Sequence, residues 1–142
     1  MIKALLDTNV VLDIALERPL FYEEASEVFV KIYENKILGY ISATSVTDIF
    51  YVLNRAKIDA FSYLKKLLKI VDVLEIDKDI IITALYSGWT DFEDAVQGQV
   101  AIENELDVII TRNTKDFQGI KNIKVLTPKE FIEVFWMSND II

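Results

Sequence analysis

Lys3-Ala4-Leu5-Leu6-Asp7-Thr8-Asn9 is the most informative stretch of the sequence, because an apolar run ends there at a carboxylate. Residues 3–6 have the length and apolar character of a buried β-strand. Residues 9–16 have the apolar pattern of a helix, and Pro19 marks a break after it. The stretch therefore predicts a strand that ends at Asp7 and leads directly into a helix.

Strands and helices alternate along the rest of the sequence. Apolar residues at helical spacing and capping residues predict helices at 22–35, 43–56, 59–70, 77–88, 91–105 and after Thr127. The expected N-caps include Ser42, Asp59, Asp77, Asp91 and Thr127. Short apolar runs predict strands at 39–41, 71–76, 108–111 and 124–126. We therefore expect an α/β protein, a three-layer α/β/α sandwich with a central, mainly parallel sheet, formed as a single domain over residues 1–142.

The composition limits the chemistry that the chain can perform. It contains 15 Lys and Arg against 23 Asp and Glu, a formal net charge of −8, and neither histidine nor cysteine. Histidine-based triads, thiolate nucleophiles, cysteine zinc sites and disulfides are therefore excluded. No apolar run approaches the roughly 18 residues of a membrane-spanning helix. We expect a soluble, cytoplasmic protein with no membrane partner, whose acid–base or metal chemistry comes mainly from carboxylates, lysines, tyrosines and hydroxyls, with carboxylates in surplus.

The negative net charge argues against a broad nucleic-acid interface, which normally has a basic face. The charge does not exclude binding of nucleic acid through bound cations, and it is compatible with a basic partner protein.

Acidic residues follow several of the predicted strands. Asp7 follows the first strand, Asp48 lies in the helix after the second, and Asp116 lies in the loop after the fourth. The carboxyl ends of parallel strands share one edge of a sheet, and ligand sites form at that edge. Asp107 precedes its strand and is expected at the opposite edge, so we exclude it from the site.

The densest acidic cluster is Asp91-Phe92-Glu93-Asp94, at the start of a predicted helix. Capping and the helix dipole account for Asp91 and Glu93 without any chemistry. They account less well for three mutually repelling acids in one turn, a repulsion that a bound cation would relieve. Simpler interpretations exist elsewhere too, since Asp7 can cap a helix and Asp48 can be solvated. Taken together, the carboxylates predict an oxygen-lined pocket suited to Mg²⁺ or Mn²⁺.

Four segments are more specific in combination than any of them alone. They are residues 5–9 (LLDTN), 47–53 (TDIFYVL), 91–95 (DFEDA) and 109–117 (IITRNTKDF). In this order and spacing the chain resembles the PIN domain family, the metal-dependent ribonuclease fold of VapC-like toxins, over nearly its whole length. The resemblance places the first family acid at Asp7, the second, usually Glu, at Asp48, and the third at Asp94. The fourth falls on Asn113 or Asp116.

The resemblance implies hydrolysis of RNA phosphodiester bonds with one or two Mg²⁺ or Mn²⁺ ions. It makes Asp7 and Asp94 direct ligands, and Asp48 and Asp116 direct or outer ligands. The resemblance implies a supporting role, the orientation of water or carboxylates, for four further residues: Thr8, Asn9, Thr111 and Asn113. Arg112 and Lys115 either contact the RNA backbone or are simply solvated.

The resemblance also implies partners, namely a homodimer and a cognate antitoxin that blocks the acidic pocket. Phe135, Trp136 and Met137 either lie in such an interface or complete the core, and we favour the core.

Two other functions remain open at this stage. A catalytically weak PIN-like binding module is compatible with Asp48, which is shorter than Glu, and with Asn113, which carries no charge. A phospho-aspartate protein, such as a haloacid-dehalogenase-like phosphatase or a receiver domain, needs a further acid that Asp7-Thr8-Asn9 lacks. Asp77 is the residue that would imitate a receiver's phosphoacceptor.

Overall fold

A single parallel sheet forms the centre of the molecule. The computed structural model describes residues 1–140, with side chains as far as Phe135. Its strands are β1 (Lys3–Leu6), β2 (Leu38–Ser42), β3 (Asp72–Leu74), β4 (Val108–Ile110) and β5 (Lys124–Leu126). Their order across the sheet is β3-β2-β1-β4-β5, and each neighbouring pair is parallel. The predicted parallel sheet is confirmed, with β1 as its central strand.

Helices cover both faces of this sheet. In residues 1–140 they are α1 (Thr8–Ala15), α2 (Tyr22–Tyr33), α3 (Ala43–Arg55), α4 (Ala60–Leu67), α5 (Lys78–Leu85), α6 (Phe92–Glu103) and α7 (Pro128–Asp140), with a 3₁₀ helix at Thr114–Phe117. Ala4 and Leu6 of β1 join the core formed with α1, α2, α3, α4 and α7. Leu5 points to the other face and packs with Ala101 of α6. The predicted three-layer sandwich is confirmed.

Short polar side chains set most of the helix starts, as the sequence predicts. Asp59, Asp77 and Asp91 each accept a hydrogen bond from the backbone N–H three residues later, at 3.1, 2.9 and 2.9 Å. Thr127 and Glu130 form a reciprocal capping box, with bonds of 3.0 and 3.1 Å. Because the carboxylate of Asp77 caps α5, this residue has a structural role that needs no phosphoacceptor chemistry.

Ser42 departs from its prediction. It occupies the N-cap position of α3 but makes no capping hydrogen bond with its side chain. Its buried hydroxyl lies instead 3.1 Å from Thr44 Oγ1 and 3.3 Å from Ser45 Oγ. These hydroxyl neighbours compete with the backbone N–H groups for the Ser42 oxygen.

Other departures concern element ends. The strand predicted at 71–76 is shortened to Asp72–Leu74, and the helix predicted to reach Gly88 ends at Leu85. Gly88 lies in the following loop with a φ of +80°. At the carboxyl end of the chain Phe135 is buried against the core, as we favoured, whereas the side chains of Trp136 and Met137 lie outside the described residues. None of the helices within residues 1–140 is long and apolar enough to cross a membrane.

Candidate active site

The ends of β1 and β4 bring Asp7 and Thr111 together at the carboxyl edge of the sheet. The parallel register pairs Leu6 with Ile110, and the N–H of Asp7 donates to the carbonyl of Ile110 at 3.0 Å. The hydroxyl of Thr111 then donates to Asp7 Oδ2 at 2.7 Å. Asp7 stands at the N-cap position of α1 but makes no capping hydrogen bond with its side chain. Its carboxylate therefore bonds to the Thr111 hydroxyl at the sheet edge and also to the backbone N–H of Thr8, the first residue of α1.

A pocket of about 430 Å³ opens above this edge. Seven of the eight residues predicted for the site line it: Asp7, Thr8, Asn9, Asp48, Asp94, Asn113 and Asp116. Thr111, the eighth, reaches the pocket through its hydrogen bond to Asp7. The other lining residues are Leu12, Tyr51, Val52, Asp91, Glu93 and Gln97. The segments that follow β1 and β4 thus meet Asp48 of α3 and the acidic start of α6 in one pocket.

Asp107 lies away from this pocket, at the amino edge of the sheet. Its carboxylate accepts a hydrogen bond from the backbone N–H of Lys3 at 2.8 Å, where β1 begins. The predicted position of Asp107 at the opposite edge of the sheet is confirmed.

Glu93 pairs with Asp48, a contact that the sequence alone does not predict. A hydrogen bond between the two carboxyl groups, together with burial and the charges of Asp48, Asp91 and Asp7, raises the pKa of Glu93 to about 7. The dipole and capping interpretation of Glu93 is therefore incomplete, because the side chain reaches across to α3. The only sequence signal was that three acids share one helical turn.

Asp94 and Asp7 are also affected by the crowding of negative charge. Burial, followed by the charges of Asp91, Asp116 and Asp7, raises the pKa of Asp94 to about 6. Burial, with a smaller contribution from the charge of Asp116, raises the pKa of Asp7 as well, opposed by hydrogen bonds from Thr111 and the Thr8 backbone and by the charge of Arg112. A cluster of carboxylates that resists full ionisation is an environment in which a cation lowers the electrostatic free energy.

The donor set of the pocket fits a hard divalent cation, since carboxylate, amide and hydroxyl oxygens are the ligands that Mg²⁺ and Mn²⁺ prefer. Within the described residues, however, no three acidic side chains stand close enough together to enclose an ion. Binding of a cation would therefore have to draw carboxylates inward from their present positions.

Buried hydroxyl and amide groups connect two residues that line the pocket, Thr8 and Gln97. Ser45 Oγ lies 2.7 Å from Thr8 Oγ1, 3.3 Å from Ser42 Oγ and 3.1 Å from Gln97 Nε2. These contacts join the start of α1, the end of β2, α3 and α6. Thr8 and Gln97 are therefore joined through the buried Ser45 by polar contacts that cross between elements.

Arg112 is not simply solvated, because its guanidinium is paired within the protein, although its side chain remains 25% exposed. Its Nε lies 2.9 Å from Asp13 Oδ2, and its guanidinium carbon lies 4.1 Å from the ring centroid of Phe21. Asp13 is fully buried and also binds Arg18 Nη1 at 3.1 Å. The loop after β4 is thereby anchored to α1 at its second residue.

The fold and the pocket together define an α/β protein with a carboxylate-lined site at the carboxyl edge of its parallel sheet. The family model of the PIN domain matches residues 3–115, and the chain belongs to this family.

Known relatives are similar over most of the chain. Ribonuclease VapC1 of Aquifex aeolicus is 28% identical over 137 residues, which cover 92% of this chain and 94% of the relative. A toxin–antitoxin complex from Klebsiella pneumoniae contains a chain that is 26% identical with a TM-score of 0.68, over 88% of this chain and 97% of that chain. A chain of the DNA-bound VapBC of Salmonella typhimurium is 20% identical with a TM-score of 0.67, over 90% of this chain and 99% of that chain. This last likeness concerns the fold alone.

Proposed function

We propose that this protein is a metal-dependent ribonuclease that hydrolyses RNA phosphodiester bonds as the toxin of a toxin–antitoxin pair. The observation that carries the proposal is the convergence of Asp7, Asp48, Asp94 and Asp116 on one pocket at the carboxyl edge of the sheet. The similarity to Ribonuclease VapC1 supports the reaction class. The sequence contains neither histidine nor cysteine, so histidine- and thiolate-based hydrolysis is excluded.

Mg²⁺ or Mn²⁺ is the proposed cofactor, held by Asp7, Asp48, Asp94 and Asp116. When bound, such a cation acidifies water and offsets negative charge on the phosphate. Thr111 orients the carboxylate of Asp7 through the 2.7 Å hydrogen bond, and Thr8 is held by Ser45. Asn9 and Asn113 line the same pocket, where their amides can bind water or the RNA backbone.

Asp116 is the better candidate for the fourth acidic position. Its charge contributes to the raised pKa values of both Asp94 and Asp7. Asn113 carries no charge, and its backbone N–H is already bonded to Thr111 Oγ1 at 3.1 Å. The departure from the family pattern at Asn113 is therefore compensated by an acid three residues later, on the 3₁₀ helix.

The proposed protein partner is a cognate antitoxin that covers the pocket with a basic side chain. A relative of known structure is a toxin–antitoxin complex, and the acidic pocket offers the counter-charge for such a contact. We also propose a homodimer, as the family resemblance implies. Size-exclusion chromatography with light scattering distinguishes the dimer from a monomer.

The central test is an assay of the purified protein on fluorescently labelled RNA with Mg²⁺, with Mn²⁺ and with EDTA. We expect cleavage with either cation and none with EDTA. Asp7→Asn and Asp94→Asn should abolish it, while Asp79→Asn, at an exposed acid in the first turn of α5, should not. Metal-dependent cleavage that survives both pocket substitutions would overturn the site assignment. Metal binding without cleavage would instead indicate a binding module.

A further inference from the structure

Tyr51 is the one aromatic residue among the described residues that line the acidic pocket. It is 62% exposed, so its ring contributes little to the core. Tyr33 and Tyr86 are exposed as well, but neither of them lines this pocket. Tyr51 therefore combines an accessible aromatic ring with a position at the proposed reaction centre.

The lining of the pocket is both acidic and apolar. Six carboxylates line it: Asp7, Asp48, Asp91, Glu93, Asp94 and Asp116. The apolar lining residues are Leu12, Tyr51 and Val52, and Leu12 and Val52 belong to one hydrophobic cluster. A bound group that contacts this lining must therefore tolerate apolar surface close to carboxylates.

Helical spacing places the ring of Tyr51 between an acid and a cation. Asp48, Tyr51 and Arg55 lie at positions i, i+3 and i+7 of α3, which share one face of a helix. Tyr51 therefore follows Asp48 by about 4.5 Å along the helix axis, and Arg55 follows Tyr51 by about 6 Å. An acid, an aromatic ring and a cation thus succeed one another along this face.

Arg55 places its guanidinium over the ring of Tyr51. The guanidinium carbon lies 5.6 Å from the ring centroid, a cation–π contact that keeps the two side chains together. Arg55 is exposed, and within residues 1–135 it forms no ion pair with an acid. Its positive charge is therefore available to an anion that approaches the pocket.

An RNA nucleotide fits this combination of groups. Its base is planar and uncharged, so it can stack on an aromatic ring beside carboxylates, and its phosphate can pair with a guanidinium. The pocket volume of about 430 Å³ lies in the range of small-molecule sites. A basic side chain of a partner protein would be repelled by Arg55, so the charge at this position favours RNA.

We propose that Tyr51 and Arg55 form a nucleotide-binding subsite, in which an unpaired base beside the cleaved bond stacks on Tyr51 and a neighbouring phosphate pairs with Arg55. The inference rests on the proposed function, because it places this nucleotide next to the carboxylates that would hold the cation. A base inside a duplex is covered by its neighbours on both faces. The subsite therefore selects nucleotides outside stable helices.

A cycle of protein and substrate changes tests the stacking contact. A short single-stranded RNA is compared with the same RNA lacking the base of one or the other nucleotide that flanks the cleaved bond. Removal of one of these bases should lower kcat/KM of the wild type about 10-fold, and Tyr51→Ala should cause a similar loss on intact RNA. Tyr51→Ala should lose nothing further on that abasic RNA. Equal losses on base removal in both proteins would overturn the proposal.

Two control variants separate stacking from a structural effect. Tyr51→Phe keeps the aromatic ring, so its kcat/KM should stay within about twofold of the wild type. Tyr33→Ala removes an exposed tyrosine at the end of α2 and should leave kcat/KM unchanged. A loss in either control as large as that in Tyr51→Ala would contradict the stacking contact.

Arg55→Gln tests the phosphate contact through the salt dependence of RNA binding. Each phosphate contact of a single strand adds about 0.7 to the slope of log affinity against log salt concentration. The slope should be lower by this amount in Arg55→Gln and unchanged in Lys69→Gln, at an exposed lysine between α4 and β3. An unchanged slope in Arg55→Gln would overturn the phosphate contact.

The Kd of the RNA separates this inference from the proposed function. Fluorescence anisotropy measures it in the Asp94→Asn background, in which we expect no cleavage, and Tyr51→Ala should raise it about 10-fold. Weaker binding in Tyr51→Ala, together with a wild type that cleaves no RNA, would overturn the proposed function but support the subsite. Cleavage by the wild type, with Kd and kcat/KM unchanged in Tyr51→Ala, would overturn the subsite alone.

Discussion

Arg112 Nε and Asp13 Oδ2 lie 2.9 Å apart in an ion pair that links the loop after β4 to α1. Neither atom has a hydrogen-bond partner, so the contact depends on charge and not on an aligned N–H bond. Asp13 also binds Arg18 at 3.1 Å, which ties in the turn before α2. One fully buried carboxylate therefore holds two segments, of which one leads to Asn113 and Asp116.

Asp13→Ala is predicted to lower the free energy of unfolding by about 3–5 kcal/mol, because it leaves two guanidinium groups beside an emptied buried position. Urea denaturation measures this change. Glu34→Ala is the control, since Glu34 and Lys36 form an exposed pair at 3.6 Å whose loss should cost about 0–1 kcal/mol. Similar losses in the two variants would contradict a structural role for the buried pair.

The stability of the cation-free protein is predicted to fall as the pH rises between about 4.5 and 7. The pKa of Glu93 is raised from 4.5 to about 7, so in this window the unfolded chain has lost a proton that the folded protein still binds. The free energy of unfolding decreases wherever the folded state binds more protons, and the change is complete above pH 7. Asp94 acts in the same direction, with its pKa raised to about 6.

Urea denaturation of the wild type and of Glu93→Gln in EDTA, from pH 4 to pH 8, isolates this effect. The stability of the wild type relative to Glu93→Gln should decrease across the window, because glutamine cannot ionise. Glu75→Gln, at an exposed acid outside the pocket, should leave the pH dependence of the wild type unchanged. A parallel pH dependence in wild type and Glu93→Gln would show that the carboxyl pair with Asp48 is absent in solution.

Divalent cations are predicted to stabilise the protein. Millimolar Mn²⁺ at pH 7.5 should raise the melting temperature, since a ligand at 100 times its Kd adds about 2.7 kcal/mol to the free energy of unfolding. Asp7→Asn should lose the shift, because the substitution removes one of the proposed ligands. Sodium chloride at equal ionic strength is the control for general screening. A shift that is absent from the wild type but present in Asp7→Asn would contradict the proposal.

The elements and the edge at which the acids gather could be predicted because they depend on local signals. Alternating strands and helices define the sheet, and Asp59, Asp77, Asp91 and Thr127 mark helix starts through contacts within four residues. Asp7 and Asp116 follow strands, so the topology alone places them at one edge.

Contacts between elements could not be predicted in the same way. The pair Glu93 and Asp48 depends on how α6 faces α3, and the pair Arg112 and Asp13 on how far a loop reaches toward α1. From the sequence, Gln97 is predicted only to be one polar residue in a helix. Its burial and its hydrogen bond to Ser45 become evident only in the structure.

Gly98 and Trp89 provide a test of packing behind the pocket. A Cβ atom at Gly98 would lie 3.0 Å from Trp89 Cη2 and 3.3 Å from Cζ3, closer than ordinary van der Waals contact. Trp89 also makes an edge-to-face contact with Phe117, with ring centroids 6.0 Å apart. Overpacking of this kind costs about 1–3 kcal/mol.

Gly98→Ala has two opposing effects, since alanine is favoured over glycine in a helix by about 1 kcal/mol. In the wild type the clash should prevail, so that the free energy of unfolding falls by about 1 kcal/mol. In a Trp89→Leu background the clash is gone, and the same substitution should stabilise by about 1 kcal/mol. Urea denaturation of the four proteins in this cycle measures the coupling. Equal effects of Gly98→Ala in both backgrounds would contradict the close contact of Gly98 with the indole.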